Sequence, residues 1–125
     1  MKNQAIALVV LGVILSFVLV ACGDGWTYVN WDKAKLEAIQ KTVDEGHQVG
    51  YLDPENVVMD YITQHYADKD NVDMSDMPSC KQDGDDYMCD VKLKDGGTLR
   101  LWLYQSVKKG KGGIWVVKAY KVIGK

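Results

Sequence analysis

Residues 79–106 read SCKQDGDDYMCDVKLKDGGTLRLWLYQS, and the fold turns on how this stretch pairs with itself. Apolar and polar residues alternate around two glycine-containing breaks, the period-2 pattern of half-buried strands. At the first break, Gly84-Asp85 suits a two-residue hairpin turn with glycine leading. If Asp83 faces Asp86, counting outward sets Cys80 opposite Cys89 at a non-hydrogen-bonded site. Cα atoms there stand about 4.5 Å apart, a span a disulfide can bridge. A cross-strand Cys80–Cys89 disulfide is therefore predicted. A redox or metal pair is the weaker reading, because eight residues intervene and no histidine is near.

The second break admits two registers. A loop of Gly96-Gly97 alone would set Leu99, Leu101 and Leu103 beside Lys94, Lys92 and Asp90. A three-residue loop Asp95-Gly96-Gly97, with Gly97 left-handed, pairs Leu93 with Leu99, Val91 with Leu101 and Cys89 with Leu103. The apolar faces then agree, and this register is expected. It sends Arg100, Trp102 and Tyr104 to the opposite face.

Working outward, strands are expected at Ser79–Asp83, Asp86–Lys94, Thr98–Ser106 and Gly113–Val122. Upstream the period changes. From Asn30, a fair N-cap, to Gly46, a good C′ residue, Leu36, Ile39 and Val43 form one helical stripe. A second helix opens at Asp53, with Pro54 at its first position and Glu55 complementing the helix dipole. Val58, Tyr61, Ile62 and His65 share a face. Residues 68–78 read as a polar loop. The expected fold is α+β: two N-terminal helices packed on one face of a four-stranded antiparallel sheet. Residues 30–125 would form a single domain, as the length of 125 residues suggests.

The helices-then-sheet order and the ending Gly113-Ile114-Trp115-Val116-Val117 resemble cystatin-like and NTF2-like folds. Gly46-His47-Gln48 followed by Leu52-Asp53-Pro54 resembles a segment of small exported proteins of Gram-positive bacteria, with Val49-Gly50-Tyr51 where that group carries Pro-Trp-Arg. NTF2-like folds host enzymes, binders and inert scaffolds alike, so the resemblance implies an architecture and no activity.

The N-terminus carries an address. Lys2 precedes seventeen residues, Ala5 to Ala21, interrupted only by Gly12 and Ser16, and no acid occurs before Asp24. Spanning a bilayer takes about 20 apolar residues, so this run fits the core of a signal peptide over residues 1–21. Leu19-Val20-Ala21-Cys22 resembles the lipobox of bacterial prolipoproteins. That resemblance implies a diacylglycerol on the Cys22 thiol and cleavage before it, with residues 22–29 as a tether. Two or three acyl chains would anchor the protein essentially permanently. The alternative is an uncleaved anchor helix with an incidental cysteine. Either way the domain is expected outside the cytoplasm, on the cell membrane or on the outer membrane of a two-membrane host.

Charge is unevenly spread. From Asp44 to Asp90 there are thirteen Asp or Glu against two Lys, and from Val91 to Lys125 nine Lys or Arg against one Asp. The two parts are expected to neutralise each other, or else to offer a basic face to an anionic partner. A net charge of −2 and an extracytoplasmic address argue against nucleic acid as a partner. Asp68, Asp70, Asn71, Asp73 and Asp76 offer oxygen ligands, but Val72 and the missing Gly and Glu fail the EF-hand order, so no metal is expected. Lys108 to Gly113 reads as a flexible basic hairpin tip. No cofactor motif and no catalytic residue is assigned.

Two functions remain. The first is a non-enzymatic module that binds an envelope protein, wall component or ligand through Arg100, Trp102, Tyr104 and Trp115. Those rings form an aromatic face that could instead pack as a second small core with Trp26-Thr27-Tyr28-Val29. The second is a small NTF2-like enzyme with an acid–base pocket around His65 and an acid such as Asp60 or Asp90.

Overall fold

The computed structural model describes residues 25–124; the signal-peptide reading and Cys22 lie outside these residues. In chain order the elements are β1 (Thr27–Tyr28), α1 (Lys33–Asp44), α2 (Pro54–Gln64), β2 (Ser79–Asp83), β3 (Asp86–Lys92), β4 (Thr98–Tyr104) and β5 (Val116–Ile123), with short 3-10 turns at Val49–Leu52 and Lys69–Asn71. The strands form one antiparallel sheet in the order β1-β5-β4-β3-β2. Among the described residues no helix is long and apolar enough to cross a membrane.

The hairpin β2–β3 follows the expected count. Asp83 pairs with Asp86 and Cys80 with Cys89, and the two cysteines are joined in a disulfide with Cα atoms 4.0 Å apart. Glycine leads the turn with φ +64°.

The β3–β4 register differs from the expectation by two residues. Val91 pairs with Leu99, Cys89 with Leu101 and Tyr87 with Leu103. The loop is Lys94-Asp95-Gly96, closed by Leu93 N–H to the Gly97 carbonyl and Gly96 N–H to the Leu93 carbonyl, 2.9 and 3.1 Å. Gly96, at φ +100°, takes the left-handed place expected of Gly97. A slip of two preserves the parity of every side chain, so the assignment of faces stands while each partner changes.

On one face, Cys89, Val91, Leu93, Leu99, Leu101, Leu103 and Val117 meet Val57, Val58, Tyr61 and Ile62 of α2. Leu99, Leu101, Leu103 and Val58 are completely buried. Such burial contributes roughly 1.5–3 kcal/mol per side chain. The start of α2 is as expected: the Asp53 carboxylate accepts from the Glu55 N–H at 3.0 Å, with Pro54 in the first turn.

Three corrections follow. The sheet has five strands, not four, because Thr27 and Tyr28 pair with Tyr120 and Ala119. The chain therefore joins the sheet at Thr27. Next, the helices do not pack as a pair on one face. Only α2 lies across the core, while Leu36 and Val43 of α1 pack on Ile114 and Val116, with Tyr104 beside them. The apolar stripe of α1 is broken by buried Gln40, which binds backbone rather than packing on the sheet. Together these overturn the cystatin-like or NTF2-like arrangement. Finally, α1 is capped by Asp32, whose carboxylate accepts from the Ala34 N–H at 3.0 Å, not by Asn30. The Val29 N–H still bonds the Lys118 carbonyl, and Trp31 Nε1 donates to the Val117 carbonyl at 2.7 Å. Those bonds hold the chain against β5 past Asn30.

Candidate functional site

Arg100, Trp102 and Tyr104 do share the face opposite α2, and most of their polar groups find partners there. Arg100 lies directly across from Asp90 and donates Nε and Nη2 to its carboxylate at 2.8 and 2.9 Å. These bonds raise the guanidinium pKa. Trp102 Nε1 donates to Asp86 at 2.8 Å, and its ring packs on Trp26 at 5.5 Å and Tyr28 at 6.3 Å. A bulge in β5 between its partners of Trp102 and Leu103 inserts Lys118, whose ammonium stands 4.1 Å from the Trp102 ring centre and 5.3 Å from that of Tyr104. Lys121 stands over Trp26 at 4.5 Å. Each cation over an aromatic face is attracted by the ring quadrupole. Trp102 thus packs with the N-terminal segment through Trp26 and Tyr28, while Tyr104 lies beside Ile114 and Val116. Tyr104 also borders a shallow cavity of about 480 Å³ beside Trp31 and Val29.

Trp115 is not on this face. It lies on the α2 side, its ring edge-on to Tyr87 at 4.9 Å and its backbone N–H donating to the Tyr51 carbonyl at 2.9 Å. The candidate binding residues are thus split between two sides of the sheet.

His65 is exposed at the end of α2, its ring against Trp31 at 5.4 Å and Tyr61 at 5.5 Å. It shares with Asp60 a recess of about 50 Å³, room for water rather than a substrate. Asp90, the other acid considered, is on the far face with Arg100. Burial and the Asp60 charge raise the Tyr51 phenol, which borders both this recess and an open groove of about 520 Å³ along α2. The acidic loop is engaged locally. Asp73 accepts from Ser75 N–H and Oγ, which lowers its pKa, and Asn71 donates to Asp95. The two charged halves meet at few points: Asp90–Arg100, Asp44–Lys108 and Asp76–Lys92 are the ion pairs among the described residues.

One concavity with polar groups on its rim was not legible as a site. A cleft of about 720 Å³ is bordered by Gln82 and Asp85 of the first hairpin, by the loop through Lys109 and Lys111, and by Tyr87 and Trp115. Their ring planes, 86° apart, form a corner. The loop is no flexible hairpin tip, because two buried glutamines hold it. Gln105 donates Nε2 to the carbonyls of Gly110 and Gly113 at 2.8 and 3.0 Å and accepts from the Gly110 N–H at 2.8 Å. Gln40 donates to the Gly112 carbonyl at 2.8 Å and accepts from the Ile114 N–H at 2.9 Å. Backbone groups that would otherwise be orphaned are satisfied by side chains, which is why β5 starts at Val116 and not Gly113. Gly113 passes so close to the Lys108 carbonyl that any side chain there would collide. The signal available in the sequence was a glutamine on the apolar stripe of α1 and another closing β4. No family model, curated protein or solved structure matches this chain.

Proposed function

We propose that this chain is an extracytoplasmic lipoprotein anchored to a membrane through Cys22, and that its domain is a non-enzymatic binding module. The binding surface is the cleft cornered by Tyr87 and Trp115. The observation that carries this reading is the clamped loop: a cleft whose polar rim is fixed before a ligand arrives loses less entropy on binding. Its volume of about 720 Å³ falls in the range of ligand sites, roughly 300–1,000 Å³. The address rests on the apolar run ending at the lipobox-like Leu19-Val20-Ala21-Cys22, and the Cys80–Cys89 disulfide suits an oxidising compartment.

Intact mass of the protein extracted from membranes tests the anchor. Loss of residues 1–21 with added acyl mass supports it, and a full-length unacylated chain refutes it. Nuclear magnetic resonance of the extracted protein, titrated with fractionated envelope material, tests the surface. Shifts gathered at Tyr87, Trp115 and Gly110–Gly113 support the cleft. Shifts gathered at Trp102 and Arg100 would move the surface to the other face of the sheet.

A further inference from the structure

We infer that the cleft takes an acidic saccharide, a hydroxylated ring bearing a carboxylate. This rests on the cleft being the binding surface. Four polar side chains on its rim have no hydrogen-bond or ion-pair partner among the described residues: Gln82, Asp85, Lys109 and Lys111. Lys108, by contrast, is tied to Asp44 at 3.4 Å. The two unengaged lysines stand on a loop fixed by Gln40 and Gln105, so placing their ammonium groups needs little further ordering of the backbone.

The chemistry of the ligand follows from what each wall asks for. Lys109 and Lys111 call for an anion. Asp85 calls for a donor, and would repel a bare anion that carries none. Gln82 both donates and accepts. The corner of Tyr87 and Trp115 offers apolar surface to the C–H groups of a ring, and both rings are half-buried rather than closed off. An uronate-type sugar meets all four demands: carboxylate to the lysines, hydroxyls to Asp85 and Gln82, ring against the aromatic corner. A phosphate ion lacks the ring that the aromatic corner asks for, and a neutral sugar lacks the charge.

The protein extracted from membranes in detergent is titrated calorimetrically with a short oligogalacturonate, with the matching neutral oligogalactose and with tripolyphosphate. The oligogalacturonate is expected to bind, more weakly as salt rises. Lys109→Gln with Lys111→Gln should weaken it about tenfold, or about 1.4 kcal/mol. Lys94→Gln, remote from the cleft, should leave it unchanged. Equal or tighter binding of the neutral sugar, or of tripolyphosphate, overturns the ligand class and leaves the cleft reading in place. Oligogalacturonate binding indifferent to the lysine pair overturns both. Absence of oligogalacturonate binding overturns the saccharide alone, since the envelope titration still tests the cleft.

Discussion

Gln105 and Gly110 bind each other twice: the glutamine amide donates to the Gly110 carbonyl and its oxygen accepts from the Gly110 N–H, both at 2.8 Å. A side chain here does what a neighbouring strand would do for a backbone. Gln105→Leu should strand these groups and cost about 1–3 kcal/mol in chemical denaturation. The Gly110 amide should also exchange with solvent well before the amides of β4. An unchanged exchange rate would mean the loop is held by something else.

Breaking the Cys80–Cys89 link should matter most at the sheet's β2 edge. Cys80→Ser with Cys89→Ser is expected to cost about 2–3 kcal/mol, the chain entropy of closing a short loop. Thermal denaturation before and after reduction of the native protein checks it. Equal midpoints would show that the hairpin stands without its covalent link.

Trp102→Ala should destabilise the domain by roughly 2–3 kcal/mol. The ring joins Trp26 and Tyr28 to the sheet and its indole N–H satisfies Asp86. Loss of the Thr27–Tyr28 pairing should accompany it, visible as faster amide exchange at Val29. A variant of native stability would show that the aromatic face is a free surface after all.

Alkali should unfold the protein through Tyr61. Burial, helped by Tyr120 and Tyr66, pushes this phenol from 10.0 to about 12. With the folded pKa above the unfolded one, the contribution is full below pH 10.0 and is lost as pH rises through about 12, because the unfolded chain gives up the proton first. Tyr61→Phe should flatten the fall of melting temperature across that window. An identical fall in both proteins would assign it to other groups.

The sequence carried the first hairpin almost completely, since Gly84-Asp85 permits one loop and the cysteines fall at a bridgeable pair. The second hairpin was legible only in parity. Gly96 and Gly97 each can take a left-handed place, and the alternation of Leu99, Leu101 and Leu103 is satisfied equally by registers two residues apart. The Asp90–Arg100 pair distinguishes them, but exposed charges of this kind contribute only about 0.5–1 kcal/mol and write a weak signal. Strand β1 was missed as a strand because two residues cannot display a period. The cleft was missed for a different reason. It is made by Gln40 and Gln105 acting on a glycine-rich loop far from Gln40 in sequence, and a glutamine binding backbone in the interior reads like one in water. His65 was legible as the end of the apolar face of α2, but not the small size of the recess it shares with Asp60, which depends on Trp31 and Tyr61 packed around it.

The pairing of Thr27 and Tyr28 with β5 sets the length of the leash. With Cys22 acylated as proposed, three residues lie between it and Trp26, at most about 14 Å of extended chain from one Cα to the other. The β1 edge would then ride close against the headgroups and the domain could not roam. The hairpin that lends Gln82 and Asp85 to the cleft begins with β2, at the other margin of the sheet. Four strand spacings, roughly 19 Å, lie between the two margins. Where the anchored edge faces the bilayer, the opposite margin faces outward, toward whatever the envelope holds beyond the membrane.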